Sequence, residues 1–266
     1  MYTFDYQRPT DVSGATGAAQ SAADARFLAG GQSLIQAMKL RLSQPSGLID
    51  LAGIPALAGI VVTAQSVTIG AMTRHDQVAR SPEVARAIPA LAALAGGIGD
   101  PMVRNAGTLG GSLAHSDPAA CYPSAIVGLG ATVQTDRRAI AADQFFTGLF
   151  ETALQPGELI VSVSFPIPQR AAYVKFKHPA SRFAMVGVCV SEGASGVRVG
   201  VTGARSHAFR WSAAEAALAK SFSPAALDGL SLPAAGLNAD LHAGADYRAS
   251  LVATITRRAV AQAISG

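Results

Sequence analysis

The chain has 266 residues, half of them apolar and 14% charged, with a formal net charge of +4. That composition supports a large core spread over two or three units and excludes a disordered chain. Its basic residues, such as Arg74, Arg104, Arg137 and Arg257, are scattered and seldom interleaved with aromatics, which argues against a nucleic-acid groove.

The opening "MYTFDYQRPTDV" lacks the apolar stretch of a secretory signal, and no segment approaches the ~20 unbroken apolar residues of a membrane span, so the cytoplasm is the default expectation. Cys121 and Cys189 are too few and too far apart for a disulfide framework, a zinc knuckle or an iron–sulfur cluster of the chain's own.

Residues 1–53 read as an extended segment, an Ala-rich helix, the strand "RFLA", the helix "SLIQAMKLRL" and the strand "GLIDL", a βαβ alternation with short connections. In the second helix Leu34, Ile35, Met38 and Leu42 share a face, and Ser33 stands at the N-cap position. From residue 54 to 170 the pattern changes. "GIVVT" and "VTIGA" predict a hairpin, and "SPEVARAIPALAALAGG" a single helix from Pro82 to a glycine stop near Gly96. Another Ala-rich helix, a strand at "ATVQT" and the strand "ELIVSVSFPIP" follow, with Pro166 and Pro168 marking an edge. Residues 171–266 hold three strand-like runs, a helix after Trp211, a Pro/Gly/Ser-rich stretch and a final helix, an α+β unit of their own.

Two glycine clusters carry the chemical signal. In "AGGQSL" a glycine pair precedes a helix N-terminus, where bare backbone lets an anion such as pyrophosphate approach unpaired N–H groups; an ordinary tight βα turn has the same sequence. "AGTLGGS" repeats the pattern, with Gly107, Gly110 and Gly111 freeing the backbone and Thr108 and Ser112 offering hydroxyls. Neither is a P-loop or a G-x-G-x-x-G fingerprint. Ser112, His115, Ser116 and Asp117 hold the residue types of a hydrolase triad, but without a G-x-S-x-G elbow they read as polar loop contacts. Cys189, in "AMVGVCV", reads as a small buried hydrophobe.

Taken together, "AGGQSL" and "TLGGSLAHSDPAA" resemble the paired flavin loops of the FAD-binding medium subunit of molybdenum hydroxylases, the family of carbon monoxide dehydrogenase and xanthine dehydrogenase. "FDYQRPTDV", "KLRL", "LIDL", "YVKFKHPASRFAMVGV" and the terminal "DYRASLVATITRRAV" extend the resemblance along nearly the whole chain.

The resemblance implies an α+β fold: an N-terminal FAD-binding subdomain (1–53) and a middle one (54–170), of the PCMH or vanillyl-alcohol-oxidase type, then a C-terminal domain (171–266) with a small antiparallel sheet and helices. It assigns FAD contacts to Ala29, Gly30, Gly31, Gln32, Ser33 and Leu34 in the first loop and to Thr108, Leu109, Gly110, Gly111 and Ser112 in the second. Ile160 and Lys177 match two further contacts. A third departs from pattern, because Cys121 stands where the family usually has Asp or Glu.

The implied role is electron transfer, with no side chain as acid, base or nucleophile and no metal ligands. The implied partners are a molybdenum-cofactor large subunit and a 2Fe–2S small subunit, in a dimer of heterotrimers. A self-sufficient flavin oxidase or reductase and a non-catalytic nucleotide-binding module are the alternatives.

Overall fold

The computed structural model describes residues 1–22 and 24–266. The N-terminal elements are β1 (Asp5–Gln7), α1 (Val12–Ser21), β2 (Ala25–Leu28), α2 (Leu34–Lys39) and β3 (Gly47–Asp50). β3 is the middle strand of a parallel three-stranded sheet ordered β1-β3-β2. The Asp11 carboxylate starts α1 by accepting the Gly14 N–H at 2.7 Å.

The second helix is shorter than its sequence predicts. α2 ends at Lys39 because Arg41 takes a left-handed conformation (φ 61°) and the Leu42 N–H turns back to the Ala37 carbonyl at 2.8 Å, a closure that glycine usually provides. Leu42 is thereby thrown outward, 79% exposed, off the face assigned to it. Ser33 is no N-cap either: its hydroxyl makes no capping bond, and its backbone is already helical.

The middle part contains β4 (Ile60–Val62), β5 (Ser66–Gly70), α3 (His75–Arg80), α4 (Pro82–Ala87), α5 (Pro89–Gly96), α6 (Pro101–Ala106), α7 (Leu109–His115), α8 (Tyr122–Leu129), β6 (Thr132–Thr135), β7 (Ala139–Ala141), α9 (Ala142–Phe145), β8 (Phe146–Gly148), β9 (Glu151–Thr152) and β10 (Ile160–Pro166). Five strands form an antiparallel sheet ordered β4-β5-β10-β6-β7. Val67, Ile69, Val163 and Phe165 pack from it into a core shared with Leu91, Leu94, Tyr122 and Ile126.

The single helix expected from Pro82 to Gly96 is two. Pro89 removes an N–H and forces Ile88 out of the helical region (φ −141°, ψ 77°), so α4 stops and α5 restarts with proline in its first turn.

The C-terminal part holds β11 (Arg170–Lys177), β12 (Ala184–Gly193), β13 (Gly196–Thr202), β14 (Phe209–Arg210), α10 (Ser212–Lys220) and α11 (Ala245–Ser265). Its antiparallel sheet runs in chain order. One face packs on α10 and α11 through Val186, Val188, Trp211, Val252 and Ile255. The other face meets α8, where Ser191 Oγ donates to the Gly128 carbonyl at 2.7 Å and Arg198 Nε to that of Val127 at 2.8 Å. Along β11, Val174 and Phe176 join the C-terminal core, while Ala171 and Tyr173 join the middle one. Strand alternation puts Lys175 and Lys177 on the side of Tyr173.

Candidate functional site

The two glycine loops touch. A Cβ built on Gly30 would lie 2.1 Å from the Ala106 carbonyl oxygen and 2.8 Å from Gly107 Cα, so only a bare backbone lets the first loop rest on the second. On the other side of the seam, Gly111 approaches the Ala29 methyl. Gly31 has φ 67°, which turns the chain from β2 into α2.

The loops differ in what they offer. Among the described residues, the N–H groups of Gly30, Gly31, Gln32, Ser33 and Leu34 donate to no protein acceptor, although Ile35 and Ala37 already bond back to the Gly31 and Ser33 carbonyls. Gln32 and Ser33 are exposed, so this run of donors is open to a ligand.

The second loop is bolted to the segment after β5 and to its own first turn: Leu109 N–H donates to the Thr73 carbonyl at 3.1 Å, Gly110 to Ala71 at 2.8 Å, Gly111 to Thr108 Oγ1 at 3.2 Å and Ser112 to the Thr108 carbonyl at 3.0 Å. What it presents is the Thr108 N–H, the Ser112 hydroxyl and close backbone approach. The Leu109 side chain is fully buried and anchors the turn in the core.

The support behind the second loop was not evident from sequence. His75 N–H donates to the Gly107 carbonyl at 3.0 Å, and its imidazole lies against Gly107 and 5.4 Å from the Tyr122 ring. Burial pushes the His75 pKa down to about 4, with the nearby Arg104 cation adding to the effect. His75 Nδ1 and the Tyr122 hydroxyl have no protein partner. The only sequence signal was the histidine itself, the first residue of α3, which reads equally as a surface residue.

The other assigned positions lie outside the two loops. Ile160 is 3% exposed and packs in the middle core; its neighbour Val161 accepts from Ala71 N–H at 2.9 Å, which ties β10 to the segment bolting Gly110. Cys121 is buried at the start of α8. Its thiol receives a bond from Lys175 Nζ at 3.3 Å, and that ammonium also donates to the Gly97 and Arg182 carbonyls at 2.8 and 2.9 Å. Lys177, two residues further along the same side of β11, is exposed and free of protein partners among the described residues. Lys175 is therefore the lysine that meets Cys121, legible only from the alternation in "YVKFKH".

Among the described residues no acid–base pair assembles near the loops. His115 stacks on Phe150 at 5.1 Å, Asp117 accepts the Ala119 N–H at 2.8 Å, and Ser116 closes α7 in a left-handed conformation. Cys189 lies in an apolar strand, 1% exposed, and burial pushes its thiol up to about 12. Among the described residues no three His, Cys, Asp or Glu side chains form a metal-holding group, and no helix is long and apolar enough to cross a membrane.

A free run of amides laid against a second, backbone-bonded glycine loop is an arrangement that suits an anionic group such as a diphosphate. Comparison with known proteins gives the class a name. Residues 2–168 match the FAD binding domain in molybdopterin dehydrogenase. The chain is 34% identical to the nicotine 6-hydroxylase medium subunit of Paenarthrobacter nicotinovorans over 97% of this chain and 96% of that one. It is also 34% identical to the carbon monoxide dehydrogenase medium chain of Hydrogenophaga pseudoflava, with the same coverage. The solved carbon monoxide dehydrogenase from that organism superposes with a TM-score of 0.90 over 99% of this chain and 98% of its own at 34% identity. Quinoline 2-oxidoreductase from Pseudomonas putida 86 gives 0.89 over 100% and 98% at 30% identity. This chain belongs to the family of FAD-binding medium subunits of molybdenum-dependent oxidoreductases.

Proposed function

We propose that the chain is the flavin station of a three-subunit molybdenum hydroxylase, receiving electrons from an iron–sulfur subunit and passing them to a terminal acceptor. The observation that carries this reading is the run of unpaired amides from Gly30 to Leu34, set against the bolted loop at Thr108–Ser112. Those amides, the Gln32 and Ser33 side chains and the Thr108 N–H would hold the diphosphate. Lys177, exposed and without a side-chain partner among the described residues, is a cation available on the C-terminal side. FAD, when bound, supplies exchange of electrons one at a time or in pairs; the protein supplies binding, orientation and electrostatics.

A polypeptide partner accounts for a second feature. Three of the four non-glycine residues in left-handed conformations, Arg41, Phe150 and Arg182, sit at or beside large apolar side chains facing solvent. These are Leu40 and Leu42 (70% and 79% exposed), Leu149 and Phe150 (55% and 52%) and Phe183 (50%). Backbone strain retained at such places is characteristic of functional surfaces, and exposed apolar side chains mark protein contacts. The large molybdenum subunit and the 2Fe–2S subunit are the partners the family supplies, two such heterotrimers forming the assembly.

Gentle purification tests the reading. Flavin absorbance in the full chain, and co-purification with the two co-expressed subunits, support it. A folded chain with no flavin supports a non-catalytic module, and turnover of an organic substrate by the isolated chain supports a self-sufficient oxidase.

A further inference from the structure

A cavity of about 170 Å³ opens between the residues that follow α7, Pro118 and Ala119, and the turn joining β11 to β12. Arg248, in the first turn of α11 and only 4% exposed, lines it. Its Nη1 group donates to the Met185 and Gly203 carbonyls at 2.7 and 2.9 Å, and Nη2 donates to Asp240 Oδ2 at 2.6 Å. A guanidinium carries five N–H groups, so Nε–H and one Nη2–H are left over. Nε is buried and has no partner among the described residues. A donor buried unpaired is costly, and a ligand acceptor would recover that cost.

Other donors in the lining are spare as well. His178 Nδ1 accepts the N–H groups of Ala180 and Ser181 at 3.3 and 3.2 Å, which places the ring proton on Nε2. The His242 ring crosses that of His178 at 67°, with centroids 4.4 Å apart. Ser181 Oγ accepts the Phe183 N–H at 3.4 Å, and its own proton has no acceptor among the described residues. Acceptors are scarcer. Asp240 Oδ1 takes the His242 and Ala243 N–H groups at 2.9 and 3.0 Å, while Oδ2 takes Arg248. Asn238 spends its Nδ2 donors on the Gly203 and Arg205 carbonyls and keeps only its amide oxygen. Beside this donor surplus lies apolar surface from Phe183 and Met185.

We propose that the cavity binds a small organic carboxylate, its oxygens taking the Arg248, His178 and Ser181 donors and its apolar body lying against Phe183. An ionised carboxylate only accepts, so it matches a surplus of donors where an amide or alcohol would bring donors of its own. Asp240 already offsets the Arg248 charge, which disfavours a doubly charged phosphate. The volume is below the ~300 Å³ at which drug-sized pockets begin, which excludes a nucleotide. No residue of the two glycine loops lines the cavity, so the site is separate from the one proposed for FAD.

Titration of the full chain with benzoate, followed by saturation-transfer NMR, tests this, with benzamide as the neutral isostere. Benzoate binds more tightly than benzamide by about tenfold or more, as hydrogen bonds to a charged acceptor require. His178→Asn, whose side-chain oxygen can take over the Ala180 and Ser181 N–H groups, deletes the Nε2 donor and weakens benzoate by about fivefold or more. Arg248→Lys keeps the charge, loses the spare donors and weakens it further; should that chain fail to fold, His178→Asn and benzamide decide. Equal binding of benzoate and benzamide, no binding of either, or an unchanged affinity in folded His178→Asn overturns the inference. Inorganic phosphate that displaces benzoate at equal concentration overturns the carboxylate assignment. Loss of benzoate on adding FAD overturns the separate site, because the probe then occupied the flavin cleft.

Discussion

The seam between the glycine loops gives the sharpest prediction. In Gly30→Ala the new methyl would start 2.1 Å from the Ala106 carbonyl oxygen, whereas ordinary contact begins at 3.4 Å, so the loops must part by more than 1 Å. Overpacking of this kind costs about 1–3 kcal/mol. The displacement also carries the Gly31–Leu34 amides off a ligand that the second loop holds in register. Losing two such hydrogen bonds at about 1 kcal/mol each weakens binding by roughly thirtyfold. Calorimetric titration of the cofactor-free chain with FAD measures this, and thermal unfolding of the same sample measures the packing cost. Gly17→Ala is the control: Gly17 lies in α1 with nothing within 4 Å of its Cβ position, so alanine there stabilises by about 0.5–1 kcal/mol and leaves FAD binding alone. A Gly30→Ala chain that binds FAD with wild-type affinity would refute the two-loop site.

Hydrogen exchange distinguishes the loops directly: the Gly31–Leu34 amides exchange fast without cofactor and slow on adding FAD, whereas those of Leu109–Ser112 are protected in both states. Glu158, its carboxylate fully buried and bonded to Arg138, Thr135 and the Gln155 N–H, has a pKa lowered to about 2, first by the Arg138 bond. Its stabilising effect is complete above the ordinary carboxylate range and is lost as pH falls toward about 2; Glu158→Gln should flatten that limb of the acid-denaturation curve and cost about 2 kcal/mol at neutral pH. His75 works through the unfolded chain. Because burial holds its folded pKa near 4, the unfolded state takes the proton first, so a stability penalty absent above about pH 6.5 grows as pH drops toward 4. His75→Gln should remove that pH dependence, and an unchanged acid limb would show that the imidazole is not held neutral.

Much of the fold was legible because the signals were local. The strand "ELIVSVSFPIP" becomes β10, the hairpin "GIVVT…VTIGA" becomes β4 and β5, and the last amphipathic helix becomes α11. Misreadings arose where a residue acted against type: Arg41 took the left-handed position that glycine usually fills, and Pro89 split a run that periodicity alone would keep whole. The site was legible as two glycine clusters, not as a contact between them. Nothing in "AGGQSL" says that Gly30 meets Ala106 and Gly107, and nothing in "TLGGS" says that its amides are already spent on Ala71 and Thr73. Those partners are distant in sequence, and only the assembled sheet supplies them. Lys175 escaped notice for the same reason: its partners, Gly97, Cys121 and Arg182, come from three separate segments.

The strand order of the middle sheet has a consequence for biosynthesis. β10 is the last strand of that sheet along the chain and lies at its centre, between β5 and β6. A nascent polypeptide emerging from the ribosome thus has the apolar faces of six helices, α3, α4, α5, α7, α8 and α9, waiting for residues 160–166 before the barrier of long-range closure is crossed. Truncation just upstream of Ile160 would leave an aggregation-prone intermediate, and chaperone occupancy during translation should peak there.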